Sequence, residues 1–321
     1  MSAPACPDCG ATLQSVDGPA FCPACVFGVL TEELPAPAPL DGELIAGRYR
    51  LEAQIGEGGF ATVWRAWQVQ PVEREVALKW LKAEAVSPQV LARFEGERAA
   101  LARMNHPGVA TVLDAGSHAG RPFFAVELVN GEPLTDLCRR ESLDVRARCR
   151  LLIKVCEAVQ HAHAKGVIHR DLKPANILAW EERGALRVKV IDFGVARALE
   201  EPLSDRAATA VRQLVGTPGY MSPEQADPGS AGIDVRSDVY ALGVVVYEVL
   251  GGRLPFAPGR RTKDGTAPEW PAVASVRKAP RPWQRDLLAI ADRALAFPQA
   301  ERYASAQALA EDLQRVLDEQ P

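Results

Sequence analysis

The run His169-Arg170-Asp171-Leu172-Lys173-Pro174-Ala175-Asn176, followed after a segment with strand character by Asp192-Phe193-Gly194, constrains this chain more than any other feature. It gathers a carboxylate able to act as a base, a lysine two residues on, and two hard oxygen donors, Asn176 and Asp192. Such oxygens suit magnesium, which binds through one or two carboxylates plus substrate phosphates and keeps several waters. Isolated Asp and Asn residues are usually turn formers. Chance seldom assembles an eight-residue block of this kind with its acidic partner at this distance. The fold must therefore place a polar loop beside a short strand pair.

A formal net charge of -4 over 321 residues gives no large positive field, which argues against nucleic acid as the main ligand. Any phosphate binding must be local. With 47% hydrophobic and 24% charged residues, the chain can bury a sizeable core. The amino terminus lacks a basic start followed by an apolar stretch, and the most apolar helical segment, Ala241 to Leu250, is too short to span a bilayer. A cytoplasmic chain without a membrane segment is expected.

Residues 1–30 read as a separate small module and 31–47 as a linker, since Leu34-Pro35-Ala36-Pro37-Ala38-Pro39 favours extended, semi-rigid backbone. Cys6-Pro7-Asp8-Cys9 and Cys22-Pro23-Ala24-Cys25 are two CxxC knuckles separated by twelve residues, a spacing that lets two turns present four thiolates to zinc. A reducing cytosol favours metal over disulfides for such a cluster. So small a unit has little core, and structural zinc contributes on the order of 10 kcal/mol in finger peptides. No Lys or Arg occurs from Cys6 to Leu30, so contact with protein is expected rather than with a phosphate backbone. A redox role lacks a βαβ context.

From Tyr49 to Leu81, runs of Val, Ile, Trp and Ala separated by turn signals predict three antiparallel strands. Gly56-Glu57-Gly58-Gly59-Phe60-Ala61-Thr62-Val63 lies between two of them, as a hairpin whose amides could face phosphates. Val63, Trp64 and Ala66 continue as strand, so a dinucleotide-binding βαβ unit is excluded. Lys79 interrupts the apolar run Val76-Ala77-Leu78 and needs a partner. Ser87-Pro88 opens a helical pattern through Met104 that carries Glu95 and Glu97. Asp144 starts a long helix ending at Gly166, in which Val145, Cys149, Leu152, Cys156 and Val159 recur at spacings of three and four. Those cysteines read as small buried hydrophobes; His161 and His163 read as structural. Trp283 to Leu317 predicts two or three amphipathic helices, whereas residues 257–282 show no apolar period.

Together these motifs resemble the Ser/Thr protein kinases, and most closely the eukaryotic-like kinases of bacteria, over residues 48–317. The resemblance implies an α+β, bilobal protein kinase fold. Its small lobe and hinge (48–130) would be β-rich with one helix, and its large lobe (131–317) helical, preceded here by the zinc-ribbon module. It implies that Asp171 accepts or orients the acceptor proton, that Lys173 neutralises charge on the transferred phosphoryl, and that Asn176 and Asp192 hold Mg2+ or Mn2+. Lys79 would hold the α and β phosphates of ATP and pair with Glu97. The nucleotide would lie among Ile55, Gly56, Glu57, Gly58, Gly59, Phe60, Ala61, Val63, Ala77 and Leu178, with hinge contacts from the backbone of Glu127 and Val129. Ala61 stands where the family has a third glycine, and Ser222 where many members have Ala.

By the same resemblance Thr217 bridges Asp171 and Lys173, Glu224 pairs with Arg302, and Asp238 braces the catalytic loop. Arg170 beside Asp171 supplies a cation that a phosphate on the activation segment could meet, with Thr209 the preferred phosphosite and Ser204 the second choice. The expected function is transfer of the γ-phosphoryl of Mg-ATP to Ser/Thr hydroxyls of protein substrates, with autophosphorylation and a dimer serving it in trans. The alternative is a pseudokinase scaffold that holds nucleotide without turnover.

Overall fold

Runs of apolar and β-branched residues broken by turns give the amino-terminal sheet of the chain. The computed structural model describes residues 42–58, 61–83, 86, 101, 103–193, 219–226, 232–255 and 282–318, the last from residue 285 onward with side chains. All lie within one unit, Asp41–Pro321. The cysteine knuckles fall outside the described residues.

Six strands form an antiparallel sheet in the order β1-β2-β3-β4-β6-β5: β1 (Leu44–Ile45), β2 (Tyr49–Glu57), β3 (Ala61–Gln68), β4 (Arg74–Leu81), β5 (Val112–His118) and β6 (Arg121–Glu127). Because successive side chains of a strand face opposite sides, Phe123 and Phe124 on β6 enter two different cores. Phe123 packs with Tyr49, Leu51, Trp64, Leu78 and Trp80, its ring edge-on to Tyr49 at 5.5 Å. Phe124 faces the larger core with Leu81, Leu101 and Met104.

That larger core is built around a second set of elements. These are β7 (Glu132–Pro133), α1 (Leu134–Arg140), α2 (Val145–Ala164), β8 (Ile177–Glu182), β9 (Ala185–Val190), α3 (Pro223–Ala226), α4 (Val235–Gly251), α5 (Pro282–Ala294) and α6 (Ala306–Leu317). Asp144 caps α2, its side chain accepting from the Ala147 amide at 2.7 Å, and Leu152, Val155, Cys156 and Val159 are buried along its apolar face. Burial pushes the Cys149 and Cys156 thiols up to about 12, so they pack as inert hydrophobes. Helix α4 is buried on nearly all sides from Val239 to Val249, the pattern of a helix at a core's centre. A Cβ on Gly243 would stand 2.7 Å from that of Ala294, so glycine is what lets α4 and α5 approach.

The structure moves one predicted boundary. The segment 31–47 reads as linker in the sequence, yet Leu44 and Ile45 pair with Arg50 and Tyr49, and Ile45 is 0% exposed. Burial of that side chain ties the chain to the sheet well before Tyr49. The predicted helix 87–104 lies outside the described residues save Leu101, Arg103 and Met104, as does 257–282 save the start of α5. Among the described residues, no helix is long and apolar enough to cross a membrane.

Candidate active site

The chain leaves α2 through Lys165 and Gly166 and runs into the polar loop, where one buried carboxylate sets the backbone. Asp238, on α4 and 1% exposed, accepts from the His169 amide at Oδ2 (2.7 Å) and from the Arg170 amide at Oδ1 (2.8 Å). His163 Nε2 on α2 also meets Oδ2 at 2.7 Å. Burial opposes the charge of Asp238, but the His163 hydrogen bond and the nearby imidazoles hold its carboxyl below the usual range. The buried His169 ring meets the Ile191 carbonyl at 2.9 Å and packs on Phe193, centroids 4.7 Å apart. Arg170 takes φ +69°, a left-handed conformation costing roughly 1–3 kcal/mol in a non-glycine residue, which the two Asp238 bonds help offset.

This turn presents Asp171, whose Oδ2 accepts from Lys173 Nζ (2.8 Å) and Asn176 Nδ2 (3.1 Å). Asn176 Nδ2 also donates to the Asp171 main-chain carbonyl at 2.7 Å. Lysine and amide thus converge on one carboxylate oxygen. Among the described residues Oδ1 accepts no hydrogen bond, which leaves it for an incoming donor. Both side-chain hydrogen bonds of Asn176 to described residues are donated by its nitrogen, so its side-chain oxygen Oδ1 is left for a cation.

Strand β4 brings a second charge to the same cleft. Lys79 Nζ stands 3.0 Å from Asp192 Oδ2. Asp192 also has a left-handed φ of +66°. Burial opposes its ionisation, yet Lys79, with smaller help from His169 and Lys173, holds the carboxyl below its ordinary value and anionic. The hairpin preceding Lys79 is closed by the Gly58 amide donating to the Ala61 carbonyl at 2.9 Å. Ala61 is the buried first residue of β3, paired with Leu81, which explains a side chain where a third glycine was expected. Gly56 pairs with Val63 and Val63 with Lys79, so the loop strands and the lysine share one register. Ala77 is buried, Val63 and Leu178 are half-buried, and Ile55 is 51% exposed. Glu57 pairs with Lys82 at 2.7 Å.

Beyond β6 the chain runs through Val129, whose carbonyl accepts from the Gly131 amide at 3.1 Å, to β7. The Glu127 amide donates to the Thr111 carbonyl at 2.9 Å, and its carboxylate pairs with Lys189 of β9. A Cβ on Gly131 would meet the Ala179 carbonyl at 3.1 Å and Leu178 at 3.3 Å, so this glycine lets the link lie against β8.

Below the loop, Arg302 donates to both Glu224 oxygens at 2.7 and 2.8 Å, and Ser237 Oγ donates to Oε1 at 2.6 Å. Burial works against the Glu224 charge, but Arg302 and Ser237 lower its carboxyl from the ordinary 4.5 to about 2. Of the residues singled out in the sequence, Lys79, Asp171, Lys173, Asn176 and Asp192 are brought together here. Gly59, Phe60, Glu97, Gly194, Ser204, Thr209 and Thr217 lie outside the described residues. Sequence reasoning missed His163 as the partner of Asp238 and Lys189 as that of Glu127; these contacts span 75 and 62 positions and carry no local signal.

Residues 49–313 match the protein kinase domain family. The chain is 41% identical over 283 residues to the serine/threonine-protein kinase pkn3 of Myxococcus xanthus, covering 86% of this chain and 51% of that protein. It is 36% identical over 290 residues to the serine/threonine-protein kinase PknB of Mycobacterium tuberculosis, covering 86% and 44%. The chain therefore spans about half the length of the curated relatives it matches. Among solved structures, the PknI kinase domain of Mycobacterium tuberculosis aligns with a TM-score of 0.65 at 25% identity, covering 87% of this chain and 100% of that one.

Proposed function

Since the chain belongs to the protein kinase domain family, we propose that it is a Ser/Thr protein kinase that transfers the γ-phosphoryl of ATP to hydroxyl groups of protein substrates. The observation that carries this reading is the convergence of Lys173 and Asn176 on one oxygen of Asp171, with the Lys79–Asp192 pair facing the same cleft. Phosphoryl transfer asks mainly for positioning and charge neutralisation, and this cluster supplies both. Asp171 orients the acceptor hydroxyl and takes its proton at Oδ1, while Lys173 fixes the carboxylate and offsets negative charge beside it. The carbonyl oxygen of Asn176 and the anionic Asp192 fit a hard divalent cation and would hold magnesium or manganese. When bound, that ion neutralises charge on the phosphate oxygens. Lys79 holds phosphate, Ala77, Val63 and Leu178 flank the base, and the main chain of Glu127 and Val129 binds its edge.

Phosphate incorporation into a generic protein acceptor tests the reading. Asp171→Asn should lose activity by about 10³-fold or more. Equal, background-level incorporation by wild type and variant would sink it in favour of a nucleotide-holding scaffold.

Two finer proposals rest on the sequence. Cys6, Cys9, Cys22 and Cys25 hold one zinc ion, which elemental analysis should find at one equivalent per chain and which Cys22→Ser should abolish. Thr209 accepts a phosphate in the active enzyme through a second copy of the chain. Phosphopeptide mapping should find it modified, at a rate per molecule that rises with protein concentration.

A further inference from the structure

Helix α3 begins at Pro223, with Ser222 just before it and Gln225 at its third position. Gln225 Oε1 accepts from the Ser222 amide (3.1 Å), the glutamine's half of a capping box, and also from Ser222 Oγ (3.0 Å). Capping uses only the oxygen. The amide nitrogen reaches 55 positions back along the chain and donates to the main-chain carbonyl of Arg170 at 2.8 Å. Which end of the amide faces which partner follows from chemistry, because the Ser222 N–H only donates and the Arg170 carbonyl only accepts.

That carbonyl belongs to the peptide bond joining Arg170 to Asp171. On its other side the Arg170 N–H is held by Asp238, and the residue between has φ +69°. A left-handed residue relaxes unless its surroundings over-determine it. Asp238 fixes one peptide and Gln225 the other. Ser222, fully buried, anchors the Gln225 oxygen, so the bridge runs without a gap from the chain entering α3 to the peptide that carries Asp171.

We infer that Gln225 is a positioning residue, which aims the Asp171 carboxylate by clamping the Arg170–Asp171 peptide to the segment that precedes α3. The inference rests on the kinase reading and adds a residue to it. Gln225→Glu separates the two ends of the amide. A carboxylate still accepts from Ser222 and keeps the cap, but it sets an acceptor against the Arg170 carbonyl.

The expected result in the full chain is a fall in kcat of about tenfold, with the KM for ATP unchanged and the thermal midpoint lowered by no more than a few degrees. Hydrogen exchange at the amides of residues 169–173 should also be faster. Gln225→Met, of similar length and without polar ends, guards against misfolding of the first variant and should lower kcat in the same way. Wild-type kcat in either folded variant, or unchanged exchange at residues 169–173, overturns the inference. The exchange readout does not depend on turnover, so failure of this clamp is distinguishable from failure of the kinase reading, which Asp171→Asn alone decides.

Discussion

Asp171 is aimed less by its own neighbours than by Asp238, whose two oxygens accept two successive main-chain amides and a histidine. An ionised carboxylate can accept all three at once; an asparagine cannot, since one of its ends only donates. Asp238→Asn should therefore leave a buried donor unsatisfied, at a cost of about 1–3 kcal/mol, and let Arg170 leave its left-handed conformation. Turnover should fall by about 10²-fold while nucleotide affinity holds, because Lys79 and the strands around it are untouched. Steady-state kinetics with calorimetric binding checks this, and equal losses in kcat and affinity would refute it. Because its carboxyl is held below the ordinary value, this stabilisation is present above about pH 4 and is lost only as pH falls below that range.

Between elements, the clamp of Glu224 and Arg302 matters most. It joins the short α3 to the turn before α6, and Ser237 brings in the first turn of α4. A four-residue helix has almost no intrinsic stability, so α3 depends on this pair for its position. The sign of the pH effect follows from the lowered carboxyl. Stability from Glu224 is fully present above its ordinary 4.5 and is lost as pH falls toward about 2. Urea unfolding at pH 6, 4 and 3 should show wild type losing stability over that window more steeply than Glu224→Gln. At pH 6 the variant should already be weaker by about 3–5 kcal/mol, the cost of leaving a buried guanidinium without its counter-charge. If it proves too unstable, Ser237→Ala removes one hydrogen bond donated to Glu224, at about 1 kcal/mol, and should flatten the same window in part. A wild-type profile that stays flat from pH 6 to 3 would remove the clamp as its cause.

Across the molecule, the parts legible in the sequence were those with a local period or a compact motif. The strands of β2 to β4, the capped α2 and the loop from His169 to Asn176 all announce themselves within a window of a few residues. What was not legible has no such window. Strand β1 is two residues long and is held by its pairing with β2 and the burial of Ile45, β7 is equally short, and His163 finds Asp238 across the fold. The pairing of Lys79 with Asp192 belongs to the same class, for it joins a strand of the six-stranded sheet to the segment leaving β9. Lys79 is the main charge that keeps Asp192 ionised, so the carboxylate does not work alone. Lys79→Met should cut turnover by about 10²-fold or more and leave burial to raise the Asp192 carboxyl unopposed by its main counter-charge. Magnesium-dependent nucleotide binding should then weaken at a higher pH in the variant than in wild type, because protonated Asp192 is no metal ligand. Lys79→Arg, which keeps the charge, should restore the wild-type pH profile without restoring full turnover. Superimposable profiles for wild type and Lys79→Met would mean that Asp192 draws its charge from elsewhere and that the cleft is not held by this pair.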